Sequence, residues 1–456
     1  MNKYDIVIIG AGPGGYTLAA MLAKHSKKVA IVEKKHFGGT CINEGCISTK
    51  TLIKSAKVFE ELQQANKYGF REQKLSIDFD AIQDRRLKNK QLLNTKIENL
   101  LTESGVKIYF DNATVIDEHT IQLQDQKIQF DKLVIATGAK SRELNIKGFK
   151  EAAQKGLLIN STQALNLKQL PKTLNIIGSG PISLEFAYFY ATLGTKVKIF
   201  EARSFMGNYD KDLQDSIREY LQDHNIELYE NVELIEFDND ALVVKIDNKK
   251  QILYAEKTLL AVGRVANVES VSTLNLELTK SGAIAVNEKM QTSIKHIYAL
   301  GDVTGLMQLS SVAYKTADII TEQLLGLESE TLNTNLVAWS VYINPEFSGV
   351  GLNETQLKAK GMEYNVIKFP TSALPRTLAD GLNTKNGFVK FLLDKHTNQI
   401  LGAFMWLEGS HLIINQIAQA MQNKISFDQL EKSVYTHPTI AEVIYYATRN
   451  FVFSKK

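Results

Sequence analysis

The sequence predicts an α/β protein with two Rossmann-like dinucleotide-binding domains and a C-terminal α+β domain. Residues 4–35, "YDIVIIGAGPGGYTLAAMLAKHSKKVAIVEKK", run in the order strand, glycine-rich turn, helix, strand. Residues 174–203, "LNIIGSGPISLEFAYFYATLGTKVKIFEAR", repeat that order, and two copies of one unit predict two nucleotide-binding domains. Neither pattern recurs in the C-terminal region, where residues 387–406 predict a β-hairpin and the following residues predict helices.

The elements of the first unit follow from short apolar runs and their boundaries. Residues 5–9 predict a strand, a helix extends to about His25, and residues 29–32 predict a second strand that ends at Glu33. A helix-permissive stretch runs from Cys46 to about Gly69, and the segment 78–104 predicts a surface helix. Alternating residues within 106–135 predict further strands.

Length and charge limit the classes of function. A chain of 456 residues is long enough for about three domains. Its 53 basic and 50 acidic residues are well mixed and give a formal charge of +3, so neither nucleic acid nor a membrane surface is expected as a partner. The apolar runs are too short to span a bilayer, and glycines break the N-terminal run, which predicts a strand rather than a signal peptide. We therefore expect a cytoplasmic protein, in which a lasting disulfide is more often catalytic than structural.

The first glycine-rich turn matches a dinucleotide-binding pattern. Gly10, Gly12 and Gly15 form G-x-G-x-x-G between a strand and a helix. These glycines let backbone amides and a helix N-terminus approach a pyrophosphate. Glu33, at the end of the next strand, is placed to accept hydrogen bonds from a ribose diol.

The second turn predicts a pyridine nucleotide with an unmodified ribose. Gly178 and Gly180 are followed by Ser183 in place of the third glycine, and serine is small enough to keep the helix near the strand. Glu201 takes the ribose-acid position and would repel a 2′-phosphate, so NAD(H) is favoured. Arg203, two residues later, leaves NADP(H) open.

Cys41 and Cys46 are the only cysteines. A zinc site lacks a second ligand pair, which leaves two inert thiols or a redox-active pair. Five residues of regular helix advance about 7.5 Å, whereas a disulfide needs Cα atoms within about 7 Å. A bridge therefore requires Cys41 to lie in a bent segment entering the helix, with flexibility from Gly45, while Cys46 lies near the helix N-terminus, which stabilises a thiolate. Because the same chain is predicted to contain two dinucleotide-binding folds, a redox-active pair is the preferred interpretation.

At this point the sequence resembles the FAD-dependent pyridine nucleotide–disulfide oxidoreductases, which include dihydrolipoamide dehydrogenase, glutathione reductase and mercuric reductase. "GGTCINEGC…K" is similar to the family's redox-disulfide segment, although Ser48 stands where proline is usual. "VIATGA" and "AVGRVAN" resemble its domain-crossing segments, "IYALGDVTG" its second FAD fingerprint, and "YTHPTIAE" its histidine–glutamate element. The resemblance covers essentially the whole chain.

The resemblance implies one FAD per subunit and a nicotinamide cofactor, with NAD(H) preferred and NADP(H) open. It also implies three domains: residues 1–148 and 265–332 for FAD, 149–264 for NAD(P), and 333–456 for a C-terminal interface that makes a homodimer. The expected cofactor-binding residues are Gly10, Gly12, Pro13, Gly14, Gly15, Glu33, Gly39, Thr40, Lys50, Ala136, Thr137, Gly138, Gly178, Gly180, Ser183, Glu201, Gly263, Arg264, Gly301, Asp302, Gln308, Leu309, Ser310 and Ala313.

The resemblance also assigns catalytic roles. Cys46 would face the flavin and Cys41 would exchange with substrate. Proton transfer would come from a histidine held by a glutamate, and an ion pair would lie beside the flavin's reactive nitrogen. In the family the histidine comes from the partner subunit, and no metal ligands are expected. The remaining catalytic residues are His437, Glu442, Lys50 and Glu185.

The expected activity resembles that of dihydrolipoamide dehydrogenase, in which electrons pass between a dithiol, the cysteine pair, FAD and NAD(H). Membership of a 2-oxo acid dehydrogenase complex stays open. A metal- or oxidant-defence reductase, like mercuric reductase or the copper(II)-reducing flavoproteins of chlorine resistance, is the main alternative, and Thr49, Pro375 and Arg376 resemble that branch. A glutathione reductase-like enzyme is disfavoured because no arginine cluster follows the second nucleotide strand. A noncatalytic nucleotide-sensing protein is disfavoured because the cysteine pair is intact and His437 matches the family's catalytic base.

Overall fold

The computed structural model describes residues 1–71 and 74–454; the remaining positions of the predicted FAD and C-terminal domains lie outside the described residues. The strands are, in chain order, β1 (Asn2–Ile9), β2 (Val29–Glu33), β3 (Lys107–Phe110), β4 (Thr114–Asp117), β5 (Thr120–Gln122), β6 (Lys127–Ile135), β7 (Ala139–Ser141), β8 (Leu158–Ile159), β9 (Thr173–Ile177), β10 (Lys196–Phe200), β11 (Glu227–Tyr229), β12 (Glu233–Asp238), β13 (Ala241–Ile246), β14 (Lys249–Tyr254), β15 (Lys257–Leu260), β16 (Arg264–Ala266), β17 (Ile297–Ala299), β18 (Trp339–Val341), β19 (Phe347–Gly351), β20 (Tyr364–Pro370), β21 (Phe388–Asp394) and β22 (Ile400–Trp406).

The helices are, in chain order, α1 (Pro13–Lys24), α2 (Gly39–Asn43), α3 (Cys46–Gln63), α4 (Phe79–Glu103), α5 (Phe149–Gln154), α6 (Ser161–Leu165), α7 (Pro181–Thr192), α8 (Lys211–Asp223), α9 (Ser310–Leu325), α10 (Glu354–Ala359), α11 (Pro375–Ala379), α12 (Ser410–Gln422), α13 (Phe427–Glu431) and α14 (Glu442–Ser454). Short 3₁₀ turns, among them Ala65–Tyr68, connect several of them. None of the helices within the described ranges is long and apolar enough to cross a bilayer.

The first Rossmann-like sheet is built around β1. Its strands lie in the order β3-β2-β1-β6-β5-β4, and β17 also pairs with β6. Pairing of β1 with β2 and with β6 is parallel, and Ile9 lies level with both Val32 and Ile135. Gly10, which follows β1, and Glu33, the last residue of β2, therefore meet at one edge of the sheet. Helices α1, α4 and α9 pack on one face, and residues 268–286 pack on the other.

The second sheet repeats this plan. Its order is β11-β10-β9-β15-β8, and Ile177 at the end of β9 lies level with Phe200 and Leu260. Helices α7 and α8 pack on one face, and the antiparallel meander β12-β13-β14 packs on the other. The prediction of two Rossmann-like units is confirmed. In each unit the central strands pair in parallel and are buried, as expected of a sheet whose crossover helices pack on its face.

The C-terminal region forms a five-stranded antiparallel sheet in the order β18-β19-β22-β21-β20. The predicted hairpin is β21–β22, and helices α12 and α14 pack on one face of the sheet. The other face contributes Phe347 and Trp406 to the core that also contains α7 and α8. The predicted α+β class of this region is confirmed.

A buried ionic cluster joins the second and third sheets. Lys390 on β21 is 1% exposed, and its Nζ lies 3.0 Å from Asp210 and 2.7 Å from Asp212, both at the start of α8. Glu354 of α10 also contacts this ammonium. A cation buried among carboxylates is stable only while its partners remain, so the cluster fixes the N-terminus of α8 against the C-terminal sheet.

Candidate active site

The two cysteines lie on consecutive helices. Cys41 is part of α2, and Cys46 is the first residue of α3. Cys41 thus lies in a separate segment that enters α3, and that segment is itself a short helix that begins after Gly38, whose φ is +78°. Gly45 separates the helices, and a Cβ there would lie 3.0 Å from the Thr40 carbonyl oxygen. This close approach, rather than flexibility, explains the glycine.

The environment of the thiols favours a thiolate on Cys46. Both cysteines are free thiols, and each changes the pKa of the other. The hydrogen bond from Cys41 lowers the pKa of Cys46 to about 6 against the opposing effect of burial, with further contributions from Lys50 and Ser310. The same hydrogen bond and burial raise the pKa of Cys41. The pair therefore holds one proton on Cys41 and a negative charge on Cys46, the thiol at the helix N-terminus.

Lys50 lies one turn beyond Cys46 on α3 and pairs with Glu185 of α7. Its Nζ lies 2.8 and 2.9 Å from the two carboxylate oxygens. The backbone N–H of Tyr342 donates to the same carboxylate at 3.2 Å, and the Lys50 ammonium lies 4.6 Å from the Tyr342 ring centroid. Burial lowers the pKa of Lys50, but Glu185 outweighs it and the net pKa is raised. The predicted ion pair is thus formed, with a fixed cation beside the thiolate.

The first glycine turn shows where a cofactor can and cannot approach. An added Cβ at Gly10 would lie 2.3 Å from the Ala136 carbonyl oxygen, and one at Gly15 would lie 2.0 Å from the Gly10 carbonyl oxygen. Gly14 is packed in the same way, since a Cβ there would lie 2.7 Å from the Ala313 carbonyl oxygen. Gly12, in contrast, faces open space. The turn is therefore closed toward the protein and open at the N-terminus of α1, where Pro13 is the first helical residue.

Glu33 is buried and fixed beside this turn. One carboxylate oxygen accepts from the backbone N–H of Ala11 at 2.8 Å. The other accepts from the N–H groups of Lys35 at 2.7 Å and His36 at 3.2 Å. Gly39 packs directly against this turn, since a Cβ there would lie 2.8 Å from the Cα of Gly12.

The N-terminus of α9 and the end of β17 form the other side of the candidate cofactor site. Gln308 and Leu309 precede α9, whose first residue is Ser310 and whose N-terminus has no side-chain cap. The Ser310 hydroxyl lies 3.6 Å from Cys46 Sγ, a contact that resemblance to the family did not indicate. Asp302 follows Gly301, and burial raises the pKa of its carboxyl while Arg264 opposes the change.

Two segments lie side by side where the chain passes between the first and second sheets. Strand β7 pairs with β16, and Thr137 and Asn267 exchange hydrogen bonds of 2.6 and 2.9 Å. Gly138 and Gly263 adjoin these strands with φ of +68° and +96°. Arg264 donates to the Ala139 carbonyl and to Thr40, yet its buried Nε has no partner among the described residues. An open glycine turn, uncapped helix N-termini and this unpaired donor fit a phosphate-bearing, flavin-sized group such as FAD.

The second turn is built like the first. A Cβ at Gly178 would lie 2.5 Å from the Ala261 carbonyl oxygen, whereas Gly180 faces open space. Ser183 is fully buried, and its hydroxyl has no partner among the described side chains. Glu201 accepts from the Ser179 hydroxyl at 2.7 Å and from the backbone N–H of Arg203 at 3.0 Å. This turn fits a second dinucleotide with a carboxylate at the ribose position.

The predicted histidine–glutamate pair is formed, but no described contact joins it to the cysteines of the same chain. His437 Nδ1 lies 2.9 Å from Glu442 Oε1, and the other oxygen of Glu442 accepts from the Thr439 N–H at 2.7 Å. Burial raises the pKa of Glu442, but these hydrogen bonds prevail and lower it. The side chain of His437 is 62% exposed, so its second ring nitrogen is open to another molecule.

Sequence reasoning missed several residues near the thiols. Tyr16 on α1 and Tyr314 on α9 share a hydroxyl–hydroxyl hydrogen bond of 2.8 Å, and burial raises the pKa of Tyr314. Tyr314 lies one helical turn after Ser310, so its place on the same face could have been inferred once Ser310 was assigned. Tyr342 had no local signal, because its contact with Lys50 joins distant parts of the chain. Within the described residues, no group of three or more histidine, cysteine or acidic side chains could hold a metal ion.

Comparison with known proteins identifies the family. The family model described as pyridine nucleotide-disulphide oxidoreductase matches residues 4–317, and the model of its dimerisation domain matches residues 337–448. Dihydrolipoyl dehydrogenase of Mycoplasma genitalium is 32% identical over 99% of both chains, and the probable oxidoreductase RclA of Escherichia coli is 32% identical over 97% of this chain and 98% of RclA. The solved Cu(II) complex of E. coli RclA, titled a HOCl-induced flavoprotein disulfide reductase, superposes with a TM-score of 0.88 at 30% identity over 99% of this chain and 100% of that one. The chain belongs to the pyridine nucleotide-disulphide oxidoreductase family and is a flavoprotein disulfide oxidoreductase that uses FAD and a pyridine nucleotide.

Proposed function

We propose that the protein oxidises a dithiol substrate through Cys41 and Cys46 and passes the two electrons to NAD⁺, as dihydrolipoamide dehydrogenase does. The supporting observation is the asymmetric thiol pair, in which Cys46 has a pKa of about 6 and Cys41 a raised pKa. FAD, when bound, supplies the two-electron transfer between the thiols and the nicotinamide. Cys46 is thus suited to carry a negative charge beside the cofactor, and Cys41 is suited to carry a proton on the substrate side.

The thiol exchange needs one attacking thiolate and one base. A substrate thiolate attacks Sγ of Cys41 in the oxidised pair, the disulfide breaks, and Cys46 leaves as a thiolate. The second substrate thiol then loses its proton and attacks the mixed disulfide, which releases Cys41 and the oxidised substrate. Two electrons have moved from the substrate to the cysteine pair, and the low pKa of Cys46 makes it a good leaving group.

We assign the base to His437 of the partner subunit in a homodimer. The histidine is exposed and its Nδ1 is held by Glu442, so Nε2 is free to take a proton outside its own subunit. Glu442 fixes the tautomer and stabilises the imidazolium. The match of residues 337–448 to a dimerisation domain supports this assignment. The domain bounds given above and the cytoplasmic location remain predictions.

NAD(H) is the proposed nucleotide. The Glu201 carboxylate lies at the end of β10 and is fixed by Ser179 and a backbone N–H. A fixed negative charge there accepts from ribose hydroxyls and repels a 2′-phosphate. The exposed side chain of Arg203 is the feature that would favour NADP(H) instead.

A metal- or oxidant-directed reductase is the second candidate. It is favoured by the similarity to RclA, whose solved structures include a Cu(II) complex. Steady-state assays with dihydrolipoamide and NAD⁺, with NADH and lipoamide, and with NADH and Cu(II) separate the two candidates. We expect the assay with dihydrolipoamide and NAD⁺ to give the highest kcat/KM. Negligible lipoamide turnover beside rapid Cu(II)-dependent NADH oxidation would reject the first proposal in favour of the second.

A further inference from the structure

The segment that carries His437 has little regular structure of its own. Residues 432–441 form no helix or strand, and most of them are exposed. The hydrogen bonds of His437 and Thr439 to Glu442 are local, since Glu442 is the first residue of α14. These bonds orient the imidazole relative to α14, but they leave the preceding part of the segment dependent on contacts from elsewhere.

Arg376 supplies such a contact. It lies on α11, and its Nη1 donates to the carbonyl oxygen of Pro438, the residue after His437, at 3.2 Å. Its Nε donates to the carboxylate of Asp380, one turn later. The two bonds use different nitrogens of one planar guanidinium, so Asp380 fixes the direction in which Arg376 reaches Pro438. Lysine could not make both bonds in this geometry.

Helix α11 is itself tied to the part of the chain that carries the cysteines. The Tyr68 hydroxyl donates to the Asp380 carbonyl at 2.8 Å. A Cβ at Gly381 would lie 3.0 Å from that hydroxyl, so the two segments are in close contact. Tyr68 ends the 3₁₀ turn that follows α3, and α3 begins at Cys46. A continuous set of contacts therefore runs from the first Rossmann-like domain through α11 to Pro438.

We propose that Arg376 is a positioning residue for His437, holding the base-bearing segment through Pro438 while Asp380 and Tyr68 hold Arg376 in place. This inference rests on the proposed role of His437 in thiol exchange. A displacement of about 1 Å at a reacting group can reduce a rate by roughly 10²-fold. Loss of Arg376 therefore slows the proton-coupled exchange at the cysteines without changing the chemistry of the cofactor sites.

The test uses the oxidised holoenzyme and dithiothreitol, so that it does not depend on the physiological substrate. Arg376→Met keeps the aliphatic stem and removes both donors. We expect the rate at which dithiothreitol reduces the cysteine pair to fall about 10- to 100-fold, while NADH-dependent reduction of ferricyanide, which needs no thiol exchange, stays within twofold. Arg376→Lys should recover only part of the rate, and Arg449→Met, at an exposed arginine of α14, should match the parent enzyme.

A double variant separates a positioning role from a structural one. If Arg376 acts through His437, Arg376→Met added to His437→Gln lowers the rate no further than His437→Gln alone. A multiplicative loss, an equal fall in the ferricyanide rate, or a dithiothreitol rate within twofold of the parent would overturn the proposal. If Arg376→Met loses its flavin, Asp380→Asn is judged by the same criteria. Unchanged exchange in His437→Gln would instead reject the proposed base.

Discussion

The clearest quantitative consequence of the site concerns the ionisation of Cys46. A pKa of about 6 in place of about 8.5 corresponds to ~3 kcal/mol of preferential stabilisation of the thiolate. At pH 7 the thiol would be roughly nine-tenths ionised, compared with about 3% for an ordinary cysteine. Because the folded pKa is lowered, the thiolate persists as pH falls and is lost only below about pH 6.

Cys41→Ser makes this ionisation measurable. The variant leaves Cys46 as the chain's only thiol and keeps a hydroxyl at the position of the donor. Its rate of alkylation by iodoacetamide should rise with an inflection near pH 6. In Cys41→Ala the donor is lost, and since a hydrogen bond to a charged group contributes about 1.5–3 kcal/mol, the inflection should move up by about 1 to 2 pH units. An inflection at or above pH 8.5 in Cys41→Ser, or the same inflection in both variants, would refute the inferred cause.

Three further outcomes are expected. Gly12→Ala should fold with an unchanged melting temperature as apoprotein but retain less FAD, because its Cβ enters only the open space of the turn; full retention would show that the cofactor lies elsewhere. Glu201→Ala should reduce the ratio of kcat/KM for NADH over that for NADPH, by roughly tenfold if one charge repulsion of ~1.4 kcal/mol is removed, and an unchanged ratio would remove Glu201 from the ribose site. Lys390→Met should lower the free energy of unfolding by about 3–5 kcal/mol, measured by urea titration, because it leaves the buried Asp210 carboxylate without its cationic partner. Lys395→Met, which breaks an exposed pair with Glu363, should cost under about 1 kcal/mol, and equal losses in the two lysine variants would contradict this account of the cluster.

Features set by local sequence were predictable. The glycine turn at Gly10 and the carboxylate of Glu33 come together because both lie at the carboxyl ends of parallel strands of one sheet. A pattern of two strands and a turn is therefore enough to predict where they lie. The hairpin β21–β22 and the helix beginning at Cys46 are local in the same sense.

Features set by contacts between distant segments were not predictable. Ser310 contacts Cys46 across 264 positions, and Lys390 lies in an apolar strand whose acidic partners come from α8 and α10. The separate helix at Cys41 depends on the left-handed backbone of Gly38, which a helical pattern of side chains does not reveal. Physical chemistry of single segments therefore defines the cofactor turns, whereas the electrostatics of the thiols require the folded chain.

Anaerobic titration of the oxidised holoenzyme with NADH tests the central claim most directly. After one equivalent per subunit and acid quenching, thiol counting should find two new thiols per chain, with a long-wavelength absorbance from the Cys46 thiolate beside the flavin before quenching. Cys46→Ser should show neither. Bleaching of the flavin with no new thiols in the parent enzyme would contradict electron transfer through the cysteine pair.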